Sequence, residues 1–302
     1  MEDTVFFYCS KEHFLLYFFK GRRNMRGQKT LKKFERQMML DEKSKNTCAK
    51  YLRDVKNFLT YLDGRELTKT AVLAYKSELI IRYKVSSANS KLAALNCYFN
   101  FIDREDCRVK FFKMQKKVYC SEDSELTRAD YKRLCQTALK DGKIQLYYVL
   151  QTICCTGIRI SELPYITVAS LKSGEAIVRC KNKTRVVFLV PELRDMLIGY
   201  CKKYRIKSGP IFTNSSGHPL DRSTVWRQMK SLCNDAGVPE EKVYPHNLRH
   251  LFARIFYDMN KDIVKLADVM GHSSIDTTRI YIISTGVEHR RCMENMNLVY
   301  KI

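Results

Sequence analysis

A chain of 302 residues with 45% hydrophobic content is long enough for two domains, each with its own core. Lys and Arg number 54 against 32 Asp and Glu, a formal net charge of +22, which calls for an anionic partner, nucleic acid before a membrane surface. Twelve cysteines are scattered without a single C-x-x-C pair; this argues against zinc ligation and a disulfide scaffold and fits a reducing, cytoplasmic setting.

The first twenty residues are apolar and aromatic, but Glu2 and Asp3 open them and Ser10-Lys11-Glu12-His13 interrupts the run. That pattern is unlike a secretory leader, and no stretch has the roughly 18 apolar residues of a membrane span. Residues 1–28 are expected to be an extension before the first domain, too short for an additional DNA-binding domain.

Residues 29–117 read as a helical bundle. Thr47 can cap a helix whose stripe is Tyr51, Leu52, Val55, Phe58, Leu59 and Leu62, ended by Asp63-Gly64. A second helix starts at Thr68 or Thr70 and runs through Leu73, Leu79 and Ile80. A third starts at Ser86-Ser87, with Ala88, Leu92, Leu95, Phe99 and Ile102 inward. Lys50, Arg53 and Lys56 fall outside the stripe and leave a basic outer face.

Residues 118–124 form a polar linker, and a second domain occupies 125–302. Thr127 with Asp130 three residues on signals a helix start. Glu175 to Val190 reads as a β-hairpin turning near Asn182. The rest of this domain reads as helices, so the fold class is mostly α with one small antiparallel β-sheet.

Four segments carry the chemistry. Thr156-Gly157-Ile158-Arg159-Ile160-Ser161-Glu162-Leu163 ends an apolar helix and puts Arg159 in a turn, with Ser161 able to cap the next short helix. Pro245-His246-Asn247-Leu248-Arg249 opens a helix; His246 and Arg249, at i and i+3, share a face near an N-terminus that attracts phosphate. His250 comes next and reads as packing on another face. Gly271 to Tyr281 contains a helix stop at Gly271, an exposed His272, a cap at Ser274 and a tyrosine. Cys180-Lys181-Asn182-Lys183-Thr184-Arg185 puts Lys181 at the hairpin turn. Singly, each has a plain structural reading: an arginine paired with Glu162, a solvated lysine, a packed tyrosine.

In combination and in this order, T-G-x-R-x-S-E-L, K-x-K-x-R, H-x-L-R-H and G-H-S-S-I-x-T-T-x-x-Y resemble the tyrosine recombinase, or phage integrase, family, which includes the Xer recombinases. The run from Tyr244 to His289 further resembles recombinases of Gram-positive mobile elements. The resemblance implies a core-binding helical bundle and a catalytic domain clamping double-stranded DNA. It also implies strand cutting and rejoining through a 3′-phosphotyrosine. Carried over residue by residue, Tyr281 would be the nucleophile, Arg159 and Arg249 the phosphate clamp, and His246 the proton acceptor. His272 would donate to the phosphate and Lys181 would protonate the leaving 5′-oxygen, while Glu162 would support the site. Cys180-Lys181-Asn182 stands where the family usually has Gly-Lys-Gly, so Lys183 competes with Lys181 for that role. A homo-tetramer on paired DNA sites is also implied, with the tail around Met293, Met296, Leu298 and Val299 on a neighbouring subunit.

Two guanidiniums supply the charge stabilisation a metal would otherwise give. No Asp/Glu cluster or P-loop pattern is present in the sequence, so neither metal nor cofactor is expected. A type IB topoisomerase and an inactive DNA-binding regulator are the competing readings.

Overall fold

The structure is a computed structural model that describes residues 23–114, 125–180, 183–282, 293–296 and 298. The chain divides into two compact units, Met1–Lys116 and Lys117–Ile302.

In the first unit, helices α1 (Arg23–Leu40), α2 (Lys45–Leu62), α3 (Lys69–Arg82) and α4 (Val85–Phe101) enclose one core. Helix α1 begins at Arg23, inside the stretch expected to precede the bundle. Of the α2 stripe, Val55, Phe58 and Leu62 are buried and Tyr51, Leu52 and Leu59 pack at the margin. Phe34, Phe58, Tyr75, Tyr98 and Phe99 form an aromatic centre, with Phe58 and Phe99 edge to face at 5.7 Å. Each such fully buried ring contributes roughly 1.5–3 kcal/mol by leaving water. Helix α2 is capped by Ser44, which accepts from the Thr47 N–H at 3.2 Å. Thr47 therefore lies inside the first turn and is not the cap, because Ser44 satisfies the free N–H one turn earlier. Asp63 ends the helix in a left-handed conformation. Thr68 caps α3. Helix α4 starts at Val85 with no side-chain cap, one residue before the expected serines. Leu73 and Ile80 on α3 face solvent, whereas Leu79 is buried.

The second unit is built on α6 (Ile144–Thr156), whose Leu146, Val149, Leu150 and Ile153 are buried on nearly all sides. Helix α5 (Arg128–Lys140) starts with a reciprocal capping box between Thr127 and Asp130. A 3-10 turn, Ile160–Tyr165, and α7 (Val168–Ser173) lead into strands β1 (Glu175–Cys180) and β2 (Lys183–Phe188). These pair antiparallel with Cys180 opposite Lys183. Ala176, Val178 and Val187 face the core, while Ile177 and Val186 face out, the alternation of a half-buried sheet. Helices α8 (Pro191–Lys203), α9 (Arg222–Lys230), α10 (Cys233–Ala236), α11 (Pro245–Asn260), α12 (Ile263–Met270) and α13 (Ile275–Arg279) complete it. Gly157 closes α6 with φ 62°, and a β-carbon there would overlap the ring of Phe252. That close approach sets the end of α6 against α11. No helix among the described residues is long and apolar enough to cross a membrane.

Candidate active site

Four segments meet at one place: the end of α6, the start of α11, the turn after α12 and the residues after α13. Arg249, from the first turns of α11, lies at the centre and is fully buried. It donates to the carbonyls of Gly157 and of Met270, the latter at 2.8 Å. These are the terminal carbonyls of α6 and α12, which a helix leaves unpaired and partly negative. No carboxylate hydrogen-bonds to Arg249 among the described residues. Burial, then the charge of Arg159, lowers its pKa to about 10, which leaves it cationic at neutral pH.

Arg159 occupies the N-cap position of the 3-10 turn. The cap is made by Glu162, not Ser161: the Arg159 N–H donates to Glu162 Oε2 at 2.8 Å, because the longer carboxylate reaches back over the turn. The Arg159 guanidinium donates to Glu162 Oε1 at 3.0 Å. The ion pair expected from a purely structural reading thus exists, yet the Arg159 side chain keeps one third of its surface exposed. Glu162 is also bound by Arg185 at 2.6 Å. Burial pushes the Glu162 carboxyl up, but hydrogen bonds and the charges of Arg185 and Arg159 outweigh it and hold it below the usual range.

Tyr281 follows α13 and is 5% exposed. Its hydroxyl lies 3.1 Å from His246 Nε2, and the Arg249 guanidinium lies 5.8 Å from its ring centroid. Burial, reinforced by Arg249, Arg159 and Arg222, lowers His246 below the ordinary imidazole value. A neutral His246 can accept the phenol proton.

His272 sits in the turn after Gly271, with Nε2 2.9 Å from Arg249 and Nδ1 2.9 Å from the Thr278 hydroxyl. A guanidinium can only donate. His272 Nε2 therefore accepts, and Nδ1–H donates to Thr278. Burial, then Arg249, Arg159 and Arg185, drives this imidazole to about 4, in keeping with a neutral ring. A donating Nε2–H requires the other tautomer, with the Thr278 hydroxyl donating to Nδ1 and the Arg249 guanidinium turned away from Nε2.

His250 is not on another face. It stands one turn after His246, their rings 5.0 Å apart, and it stacks on Tyr281 at 4.3 Å and 30°. Burial, then His246 and Arg249, lowers its pKa to about 4. The i, i+4 spacing from His246 was the signal for this placement. Thr278, fully buried behind His272, and Arg185 lie within the quoted segments, but the sequence alone gives neither a role of its own. Lys181 lies outside the described residues. So does the Lys183 side chain; its backbone opens β2. Of the tail, only residues 293–296 and 298 are described, and Met293, Met296 and Leu298 are exposed. Among the described residues no group of His, Cys, Asp and Glu suited to a metal is assembled.

In the first unit, Lys50, Arg53, Tyr83, Ser87 and Lys91 line a groove of about 420 Å³. At its base Lys91 pairs with the buried Asp54 at 3.0 Å.

A model of the phage integrase family matches residues 124–286, and one of the phage integrase N-terminal SAM-like domain matches 31–106. The chain is similar to tyrosine recombinase XerA of Pyrococcus furiosus, 28% identical over 279 residues, 89% of this chain and 94% of that protein. It is similar to tyrosine recombinase XerH of Campylobacter jejuni, 30% identical over 217 residues, 65% of this chain and 61% of that protein. A lambda integrase tetramer bound to a Holliday junction shares the fold, with TM-score 0.68 and 18% identity over 84% of this chain and 76% of that one.

Proposed function

We propose that this chain, which belongs to the phage integrase family, cuts DNA with Tyr281 at a phosphate held by Arg159 and Arg249. The protein is a tyrosine recombinase, an enzyme that breaks and rejoins DNA at specific sites. The assignment of its site is carried by one observation: the Tyr281 hydroxyl lies 3.1 Å from His246 Nε2, beside the buried cation Arg249.

A phenol with a pKa near about 10 is a weak nucleophile at neutral pH. His246 takes its proton as the phenolic oxygen bonds to phosphorus. Charge builds on the non-bridging oxygens, and the two guanidiniums stabilise it; His272 adds a donor from Nε2 once Arg249 turns to the phosphate and the imidazole takes the other tautomer. The bond from phosphorus to the 5′-oxygen breaks, and Lys181, or Lys183 in its place, protonates that oxygen. The product is a 3′-phosphotyrosine that keeps the bond energy, so a 5′-hydroxyl from another strand reverses the step and exchange results.

The first unit is the core DNA-binding domain. The lysines and arginine of its groove suit phosphate contacts, and the N-terminus of α4 adds favourable dipole. The active assembly is a homo-tetramer on paired DNA sites, with the residues after Tyr281 reaching a neighbouring subunit; a lambda integrase tetramer bound to a Holliday junction supports this reading. It works in the cytoplasm, where its scattered thiols stay reduced.

Incubation with candidate-site DNA nicked beside the scissile phosphate, followed by denaturing electrophoresis and peptide mapping, tests this. An adduct on Tyr281 is expected, and Tyr281→Phe binds DNA without forming one. An adduct made by that variant refutes the nucleophile. Relaxation of supercoiled DNA without a preferred site identifies a topoisomerase, and DNA binding without any adduct identifies a regulator.

A further inference from the structure

We infer that Arg185 is a positioning residue: it ties strand β2, the carboxylate that holds Arg159 and the turn that presents His272 into one fixed arrangement. The inference rests on the active site proposed for Tyr281.

Three observations carry it. The first is a shared carboxylate. Glu162, 2% exposed, accepts from Arg159 through both oxygens and from Arg185 at 2.6 Å. Two guanidiniums from different elements are therefore held by one buried acid, and the position of one constrains the other. The second lies at the end of α12. Arg185 donates to the Val269 carbonyl at 2.8 Å, while Arg249 donates to the next carbonyl, Met270, at 2.8 Å. Two successive carbonyls of one helix end are thus gripped by arginines from β2 and α11, immediately before His272.

The third is Gly271. Its φ is 65°, and a β-carbon there would overlap Cδ of Arg185 and approach its Nε to 2.9 Å. A lone flexible side chain would move aside. This one is fastened at both terminal nitrogens, so the missing β-carbon and the path of Arg185 are matched. Only 12% of the Arg185 side chain is exposed, and both of its terminal nitrogens bind protein groups. It acts through Glu162 and the His272 turn, not on the phosphate itself.

An ordinary buried ion pair would affect stability alone. A positioning role affects the rate of cleavage with DNA already bound. The test uses the full chain, nicked-site DNA at saturation, single-turnover adduct formation, DNA affinity and thermal unfolding. Arg185→Met should slow adduct formation about 100-fold, the scale of a misplaced reacting group, with site affinity unchanged. Arg185→Lys, which keeps a charge but cannot span both partners, should recover part of the rate. Gly271→Ala should reproduce the defect with Arg185 intact. Gly237→Ala is its control, a left-handed helix cap with nothing near the added carbon. Adding Glu162→Gln to Arg185→Met should give a rate no lower than the slower single variant.

Wild-type rates in Arg185→Met, equal behaviour of Gly271→Ala and Gly237→Ala, or multiplied defects in the double variant each overturn the inference. An adduct retained by Tyr281→Phe overturns instead the assignment of the nucleophile beneath it.

Discussion

Both units bury a carboxylate against cations, Asp54 in the first and Glu162 in the second, but the second also buries a cation that binds no carboxylate among the described residues. In the first, the buried carboxylate of Asp54 meets the ammonium of Lys91 at 3.0 Å, and the remaining basic side chains stand at the surface. In the second, Arg249 is fully buried against helix-end carbonyls and an imidazole, with its positive charge uncancelled by any bound carboxylate among the described residues. The first arrangement uses many weak, solvated charges. The second concentrates a few desolvated ones, each worth more because water is excluded. On the proposed reading, an anion is gathered by number in one region and activated by placement in the other.

Salt should separate the two most strongly. With six to ten phosphate contacts, affinity for DNA is expected to fall roughly 10³–10⁵-fold between about 50 and 200 mM salt. The adduct-forming rate at saturating DNA should change far less. Binding isotherms and single-turnover rates on the same samples measure both, and equal sensitivity would erase the contrast.

A core substitution in the first unit comes next. Phe58→Ala removes a ring packed against Tyr61, Tyr75 and Phe99 and should cost about 3–5 kcal/mol of that unit's stability, read by denaturant unfolding. Arg249→Lys keeps a charge but loses the fork that reaches two carbonyls. It should lower cleavage about 10²–10³-fold while leaving DNA affinity near its original value, measured by adduct formation and titration.

The last test is that of pH. His250 and His272 titrate near 4 in the folded chain against 6.5 for the free group. As pH falls below 6.5 the unfolded chain takes up protons that the folded chain refuses. Their stabilisation is therefore complete above 6.5 and is lost progressively as pH falls through 4. The melting temperature should drop over that window, and less so in His250→Phe. A loss of equal size in that variant would remove His250 as a cause.

Much of this was legible because it is local. Pro245 at the start of α11, the Thr127–Asp130 box, the stop at Gly271, the cap at Ser274 and the hairpin all depend on residues within a turn of each other. The site was legible as four ordered segments, and Arg159, His246, Arg249, His272 and Tyr281 do lie about one centre. Local rules failed where two candidates compete. Ser44 caps α2 in place of Thr47, and Glu162 closes the 3-10 turn in place of Ser161, since each segment offers two polar side chains able to accept near the helix start. What stayed hidden is long-range. Arg185 reaches Val269 and passes over Gly271 only because the sheet and α12 are brought together by the fold. Nothing in the spacing of the hairpin foretells that contact.

The carbonyl cradle around Arg249 has one more consequence. A cation paired with a carboxylate attracts passing anions less than one held by carbonyls and an imidazole, which favours a small oxyanion that can reach it. Sulfate or inorganic phosphate in a storage buffer would thus compete for the phosphate position proposed beside Arg249. The choice of counter-ion then becomes a variable of the enzyme's activity in its own right.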